Sequence, residues 1–103
     1  MPPPGSIANK IAFHQREAQR LHKVSQRLHL RAAVLGQLAL AAKNLGHHVR
    51  AKRLLTRALA RKADAVRARM RALEHRRRIA ELKAARTLDN QKRSANTVRR
   101  RGR

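Results

Sequence analysis

The sequence contains no cysteine, no tryptophan and no tyrosine, one phenylalanine (Phe13), and only five acidic residues in 103. Each shortage excludes something. Without cysteine there is no disulfide framework, no zinc–thiolate site and no thiol nucleophile, and the redox compartment is left open. Without β-branched and aromatic runs there is no β-sandwich or barrel. A lone aromatic gives no platform on which single-stranded bases stack, which argues against recognition in the manner of aromatic-bearing sheet and barrel modules. No glycine-rich phosphate loop, nucleotide fingerprint or metal-ligand cluster occurs. The longest mostly apolar run, residues 32–42, is broken by Gln37 and is far short of the roughly 20 residues a membrane-spanning helix needs. The scarcity of Trp and Phe anchors also argues against a membrane-surface role, so no membrane partner is expected.

What is present is positive charge. Lys and Arg total 27 against the five acids, giving a net charge of +22, and 20 of the 27 are Arg. Ala, Glu, Lys, Leu and Arg make up 62 residues, the composition of long helices or coiled coils. Leu, Ile, Val and Phe total 22, which leaves room for a seam but not for a large core. Charge of one sign repels itself, so a chain of this kind is stabilised by an anionic partner. At this length one domain is expected, and the fold class is all-α: a long antiparallel helical hairpin, with Gly36 as a candidate kink, and extended basic tails.

The boundaries follow from periodicity and punctuation. Residues 1–5, Met-Pro-Pro-Pro-Gly, read as an extended Pro-rich arm, and Ser6 is placed to cap a helix. The hairpin is expected over 6–88, with a helix at 7–45, a turn near Gly46, a helix at 47–88 and a basic tail at 89–103. Along the first helix Ile7, Ile11, His14, Ala18, Leu21, Ser25, Leu28, Ala32, Leu35, Ala39 and Ala42 recur in steps of four and three, one stripe of an α-helix; Val24, Leu38 and Leu45 widen it. Gly46 after Asn44-Leu45 suits the left-handed residue that ends a helix. In the second helix Leu55, Leu59, Ala63, Val66, Met70 and Leu73 are expected to form the matching stripe, so Asp at Leu55, Leu59 and Val66 is expected to unfold the hairpin. Thr87-Leu88-Asp89-Asn90 reads as its end. Leu38, Ala39, Ala42 and Gly46, followed by Ala51, Leu55, Ala58 and Leu59, resemble a single tetratricopeptide hairpin; no second copy follows and an array needs about three, so the resemblance implies close helix pairing only.

No catalytic residues are expected. His14, His22 and His29 share a side of the first helix, but neighbours seven or eight apart lie about 10 Å apart along the axis, too far for one metal ion, so neither a metal nor a cofactor is expected. His47 and His48 adjoin the turn. Ser25, His29 and Asp64 are a Ser/His/Asp set in name, with no oxyanion donors or pocket to make it a triad. The acids Glu17, Asp64, Glu74, Glu81 and Asp89 are too scattered for a general acid–base pair, and Asp64–Arg67 and Glu74–Arg78 read as ordinary helix ion pairs.

The candidate nucleic-acid-binding residues are Arg16, Arg20, Lys23, Arg27 and Arg31 on the first helix; Arg50, Arg53, Arg57, Arg61, Arg67, Arg71 and Arg78 on the second; and Lys92, Arg93, Arg99, Arg100, Arg101 and Arg103 in the tail. Side chains repeated every turn can meet regularly spaced phosphates, and the planar guanidinium suits phosphate better than an ammonium does. The expected function is non-enzymatic and structural: an RNA-binding component of a ribonucleoprotein such as a ribosome, cytoplasmic or mitochondrial, gripping phosphate backbone. Two alternatives stand beside it: a DNA-condensing or packaging protein of a virion or nucleoid, and a helical subunit of a large assembly binding an acidic protein surface. RNA is favoured over DNA, other proteins of the assembly are expected partners, and two hairpins could pair as a homodimer. Residues 7–31 also have the Arg-rich, acid-poor character of a mitochondrial transit segment; a retained segment is favoured, because cleavage would remove the first helix.

Overall fold

A computed structural model describes residues 5–101, with side chains for residues 5–97. The Pro-rich arm (apart from Gly5), the side chains of Arg99, Arg100 and Arg101, and all of Arg103 lie outside the described residues. The chain forms two helices, α1 (Ile7–Asn44) and α2 (His48–Arg101), packed against each other as an antiparallel hairpin measuring 87 × 21 × 13 Å. The radius of gyration is 23.6 Å, against about 13 Å for a compact globule of similar length. The molecule is therefore a rod one helix thick, with a seam where a globular domain has a core.

The helix ends follow their local chemistry. The Ser6 hydroxyl accepts the Asn9 N–H at 3.1 Å and opens α1. At the other end Gly46 takes φ +80°. Its N–H bonds to the Lys43 carbonyl at 3.0 Å, and the His47 N–H reaches back to Ala42 at 2.9 Å. This is the two-bond Schellman closure, which satisfies carbonyls that α1 leaves open. A Cβ at Gly46 would meet no atom within 4 Å, so backbone conformation alone demands glycine there. Gly46→Ala is expected to destabilise the hairpin by about 1–2 kcal/mol, the left-handed penalty for an L-residue, read as a lower melting temperature with unchanged helicity at 20 °C. Gly36 differs. Helix α1 runs through it without interruption, and a Cβ there meets nothing within 4 Å. No close helix contact requires glycine at that position.

The seam of α1 is the eleven-residue stripe read from the sequence, each residue from Ile7 to Ala42 being buried or half-buried; of the three residues expected to widen it Val24 is half-buried, whereas Leu38 and Leu45 are exposed because they point away from α2. The seam of α2 is not. Leu55, Leu59, Ala63, Val66, Met70 and Leu73 are all exposed. In their place Ala51, Leu54, Ala58, Ala65, Ala68, Ala72, His75, Ile79 and Leu82 face α1, again in steps of three and four, with Arg61 at the one step that turns outward. The reason is steric. Leu21, Leu28 and Leu35 supply bulk from α1, and alanine opposite lets the two backbones approach and close around it. Leu21 packs on Ala68 and Ala72, with Val24 beside them, and Ala65 is completely buried. Large apolar residues one position further along cannot reach this line.

Helix α2 also does not stop at residue 88. It continues to Arg101, and beyond Leu82 every residue with a described side chain is exposed. Residues 89–101 contain no Gly or Pro to break the helix. The polar residues read as a stop signal are accommodated within it: the Thr87 hydroxyl donates to the Lys83 carbonyl at 3.0 Å, Thr97 donates to Arg93 at 2.9 Å, and Asp89 pairs with Arg93 at 3.2 Å. The basic tail is thus an overhanging helix through Arg101.

Candidate nucleic-acid interface

A hairpin of two helices has two broad faces, and the residue order assigns side chains to them. One face carries the residues that precede each seam position: Arg20, Arg27 and Arg31 on α1, and Arg50, Arg53, Arg57, Arg67, Arg71 and Arg78 on α2. The basic rows of the two helices meet in a groove lined by Leu30, Arg31, Val34, Leu35, Arg57 and Arg61. Arg16 and Lys23 lie at the outer edge of α1. Every Arg and Lys among residues 5–97 is exposed. The sequence-derived candidates from Arg16 to Arg93 are therefore all on the surface, and Lys92 and Arg93 project from the overhang of α2.

Few of these cations are neutralised. Glu17 pairs with Arg20 at 2.8 Å, Asp64 with Arg67 at 2.9 Å and Arg61 at 3.6 Å, and Glu81 with Arg78 at 3.0 Å and Arg77 at 3.8 Å. Arg78 thus turns to Glu81 instead of to Glu74. All these pairs are within one helix and open to solvent, which screens them, so they add little to stability. The Arg20 hydrogen bond holds the Glu17 carboxyl below its usual range and raises Arg20 in return. Among the described residues no acid lies within ion-pair distance of Arg16, Lys23, Arg27, Arg31, Arg50, Arg53, Arg57 or Arg71. No ion pair joins the two helices there either, so electrostatics within the chain oppose the hairpin and packing holds it.

Two polar contacts do cross the seam. The Ser25 hydroxyl donates to the Ala65 carbonyl at 3.0 Å in the buried interior. That bond commits the hydroxyl to the backbone, and Asp64 faces Arg61 and Arg67; Ser25, His29 and Asp64 form no triad. Nearer the open end the Nδ1 atoms of His14 and His75 lie 2.8 Å apart, with the Phe13 ring edge-on to both. One nitrogen donates and the other accepts, so the contact requires at least one neutral ring. Burial, then the charges of His75 and Arg78, hold the His14 imidazole below its ordinary value of 6.5.

A base whose folded pKa lies below its unfolded one binds fewer protons when folded. Stability is then highest above the unfolded value and falls as pH drops through it toward the lowered folded value. The melting temperature is expected to fall between about pH 7 and pH 5, and His14→Leu to remove most of that slope. A slope unchanged in His14→Leu would place the titration elsewhere.

The opposite face carries the residues that follow each seam position. Cavities along it are lined by Leu40, Lys43, Lys52 and Leu55 near the turn, by His29, Leu59 and Lys62 in the middle, and by His22, Gln26, Arg69, Leu73 and Arg76 further on. Sequence reasoning missed Lys52, Lys62, Arg69 and Arg76 because it assigned their neighbours Leu55, Leu59, Val66 and Leu73 to the seam. Among the described residues no group of three potential ligands could hold a metal ion, and no helix is long and apolar enough to cross a membrane. Comparison with protein-family models, curated proteins and solved structures finds no match to this chain.

Proposed function

We propose that this chain is a non-enzymatic structural protein that binds nucleic acid, with folded RNA of a ribonucleoprotein as its preferred partner. The observation that carries this reading is the Arg-bearing face: basic rows from both helices, exposed and largely unpaired, meeting in the groove at Arg31, Arg57 and Arg61. A surface that is merely solvated balances acids with bases, whereas this face sets nine arginines against the four acids Glu17, Asp64, Glu74 and Glu81. Phosphate contacts supply sequence-independent affinity, and guanidinium groups bind phosphate bidentately. The rod shape supports a bracing role, since a stiff hairpin can lie along one RNA helix or between two while the basic overhang reaches further. The scarcity of aromatic residues favours contact with backbone and shape over stacked bases.

The test is sedimentation of a cell extract through a density gradient at low salt, with the protein followed by immunoblot. Comigration with a ribosomal subunit or another RNA particle, abolished by RNase, is the expected result. Persistence of the complex after RNase and its loss after DNase would replace this reading with DNA packaging. Protein at the top of the gradient throughout would refute both.

A further inference from the structure

We infer that the face opposite the Arg rows is a second binding surface, and that its occupant is an acidic amphipathic helix of a partner protein. The observation is the misplaced stripe. Leu55, Leu59, Val66 and Leu73 are 50%, 59%, 48% and 46% exposed and lie in register along one flank of α2. Leu55, Leu59 and Leu73 line, in that order, cavities of about 380, 280 and 240 Å³ that follow one another from the turn toward the open end, and Val66 stands on the same flank between the last two. The floor between the helices is built of small residues, among them Gly36, Ala33, Ala58 and Ala72. A channel with a low floor and large apolar residues on its bank suits the apolar stripe of a third helix. From Lys52 to Arg76 it is about 36 Å long, or roughly 24 residues of such a helix.

Charge selects the occupant. Lys52, Lys62, Arg69 and Arg76 alternate with the apolar residues, Lys43 adds to them from α1, and no acid lines any of the three cavities. The acids Glu17, Asp64, Glu74 and Glu81 all precede seam positions and so fall on the opposite face. A second copy of this chain would set cation against cation, between molecules that each carry +22. A helix with Leu on one stripe and Glu on its flanks meets both features, burying the apolar bank and pairing with the basic residues. The surface is separate from the Arg-bearing face, so this inference does not depend on nucleic-acid binding.

The test uses the full chain stripped of nucleic acid, and a fluorescent synthetic helix of about 24 residues with a Leu stripe flanked by Glu. A control peptide of identical composition has its Leu residues scattered around the helix. Anisotropy is read at about 0.15 M salt, where exposed charge pairs are screened beyond about 8 Å. The amphipathic peptide is expected to bind, and the control to bind at least about tenfold more weakly. The triple variant Leu59→Ala, Val66→Ala and Leu73→Ala, whose substitutions favour helix and spare the seam, is expected to lose about tenfold or more while keeping its circular dichroism. Arg27→Gln with Arg31→Gln on the opposite face is expected to change affinity by less than about threefold. Equal binding of the two peptides would reduce the effect to net charge and overturn the proposal, as would no binding. So would a concentration-dependent dimer in sedimentation equilibrium that the triple variant abolishes, since the occupant would then be a second copy. Loss of RNA affinity in the triple variant would assign the face to nucleic acid instead.

Discussion

Between 50 and 200 mM salt, binding of this chain to structured RNA is expected to weaken by about 10³–10⁵, the loss that accompanies neutralisation of about 6–10 phosphates. The estimate rests on the Arg-bearing face. Arg20, Arg27, Arg31, Arg50, Arg53, Arg57, Arg67, Arg71 and Arg78 stand on it, exposed, and only Arg20, Arg67 and Arg78 have an acid within ion-pair distance. Each phosphate contact releases condensed counterions, so log affinity falls linearly with log salt, by about 0.9 per contact on duplex. Replacing Arg27, Arg31 and Arg57 together with Gln should therefore lower the magnitude of the slope by about 2–3, and by a similar amount on RNAs of unrelated sequence. The hairpin itself should remain intact, because these three residues are exposed and among the described residues make no ion pair. A slope near zero, or a sharp change in sequence preference in the variant, would show that affinity comes from base contacts.

The second large effect separates the two apolar lines of α2. Ala65 is completely buried against α1, and its carbonyl accepts the Ser25 hydroxyl. Ala65→Asp would place an unpaired charge in the seam and force the helices apart. Its cost of more than about 4 kcal/mol approaches the lower end of the stability of an ordinary small domain, about 5–15 kcal/mol, and this hairpin has only a seam in place of a core. The expected result is loss of the cooperative melt. Leu59→Asp, six residues away in sequence, should cost less than about 1 kcal/mol, because Leu59 is 59% exposed and the seam does not contain it. Circular dichroism melts of the two variants decide the matter. Unfolding by Leu59→Asp with survival of Ala65→Asp would restore the large apolar stripe as the seam.

This contrast also explains what could be read from the sequence and what could not. In α1 the seam residues Ile7, Ile11, Leu21 and Leu28 stand at helical spacing among mostly polar neighbours, so hydrophobic periodicity identifies the line, and Leu35, Ala39 and Ala42 continue it past the exposed Leu30, Val34, Leu38 and Leu40. In α2 two lines of apolar residues run side by side, and the larger side chains belong to the exposed one. Periodicity gives both lines the same spacing, and size favours the wrong one. What distinguishes them is the partner: the bulk of Leu21 requires Ala68 and Ala72 opposite, a relation between two helices that no window on one helix contains. The turn was legible because Gly46 sits at φ +80°, a conformation that only glycine adopts at little cost.

The end of α2 was not legible, because Thr87, Asp89 and Thr97 form local bonds that a helix tolerates as readily as a turn does. The basic residues among 5–97 are exposed, as read from the sequence, since charge of one sign at this density has nowhere else to go. Their division between two faces depended on the seam. Once α2 is registered by its alanines, Glu17, Asp64, Glu74 and Glu81 fall on the Arg-bearing face, Asp89 lies on the overhang, and the other face of the hairpin is left apolar, basic and free of carboxylates.

The most direct measurement is the ultraviolet spectrum of the protein purified at low salt, before and after digestion with RNase or DNase. The chain has no Trp and no Tyr, so it is almost silent at 280 nm, and any strong band near 260 nm belongs to something bound. A nucleic-acid spectrum that RNase removes and DNase leaves is the predicted result. A flat spectrum from protein that retains its helical circular dichroism would contradict nucleic-acid binding as the role of the Arg-bearing face.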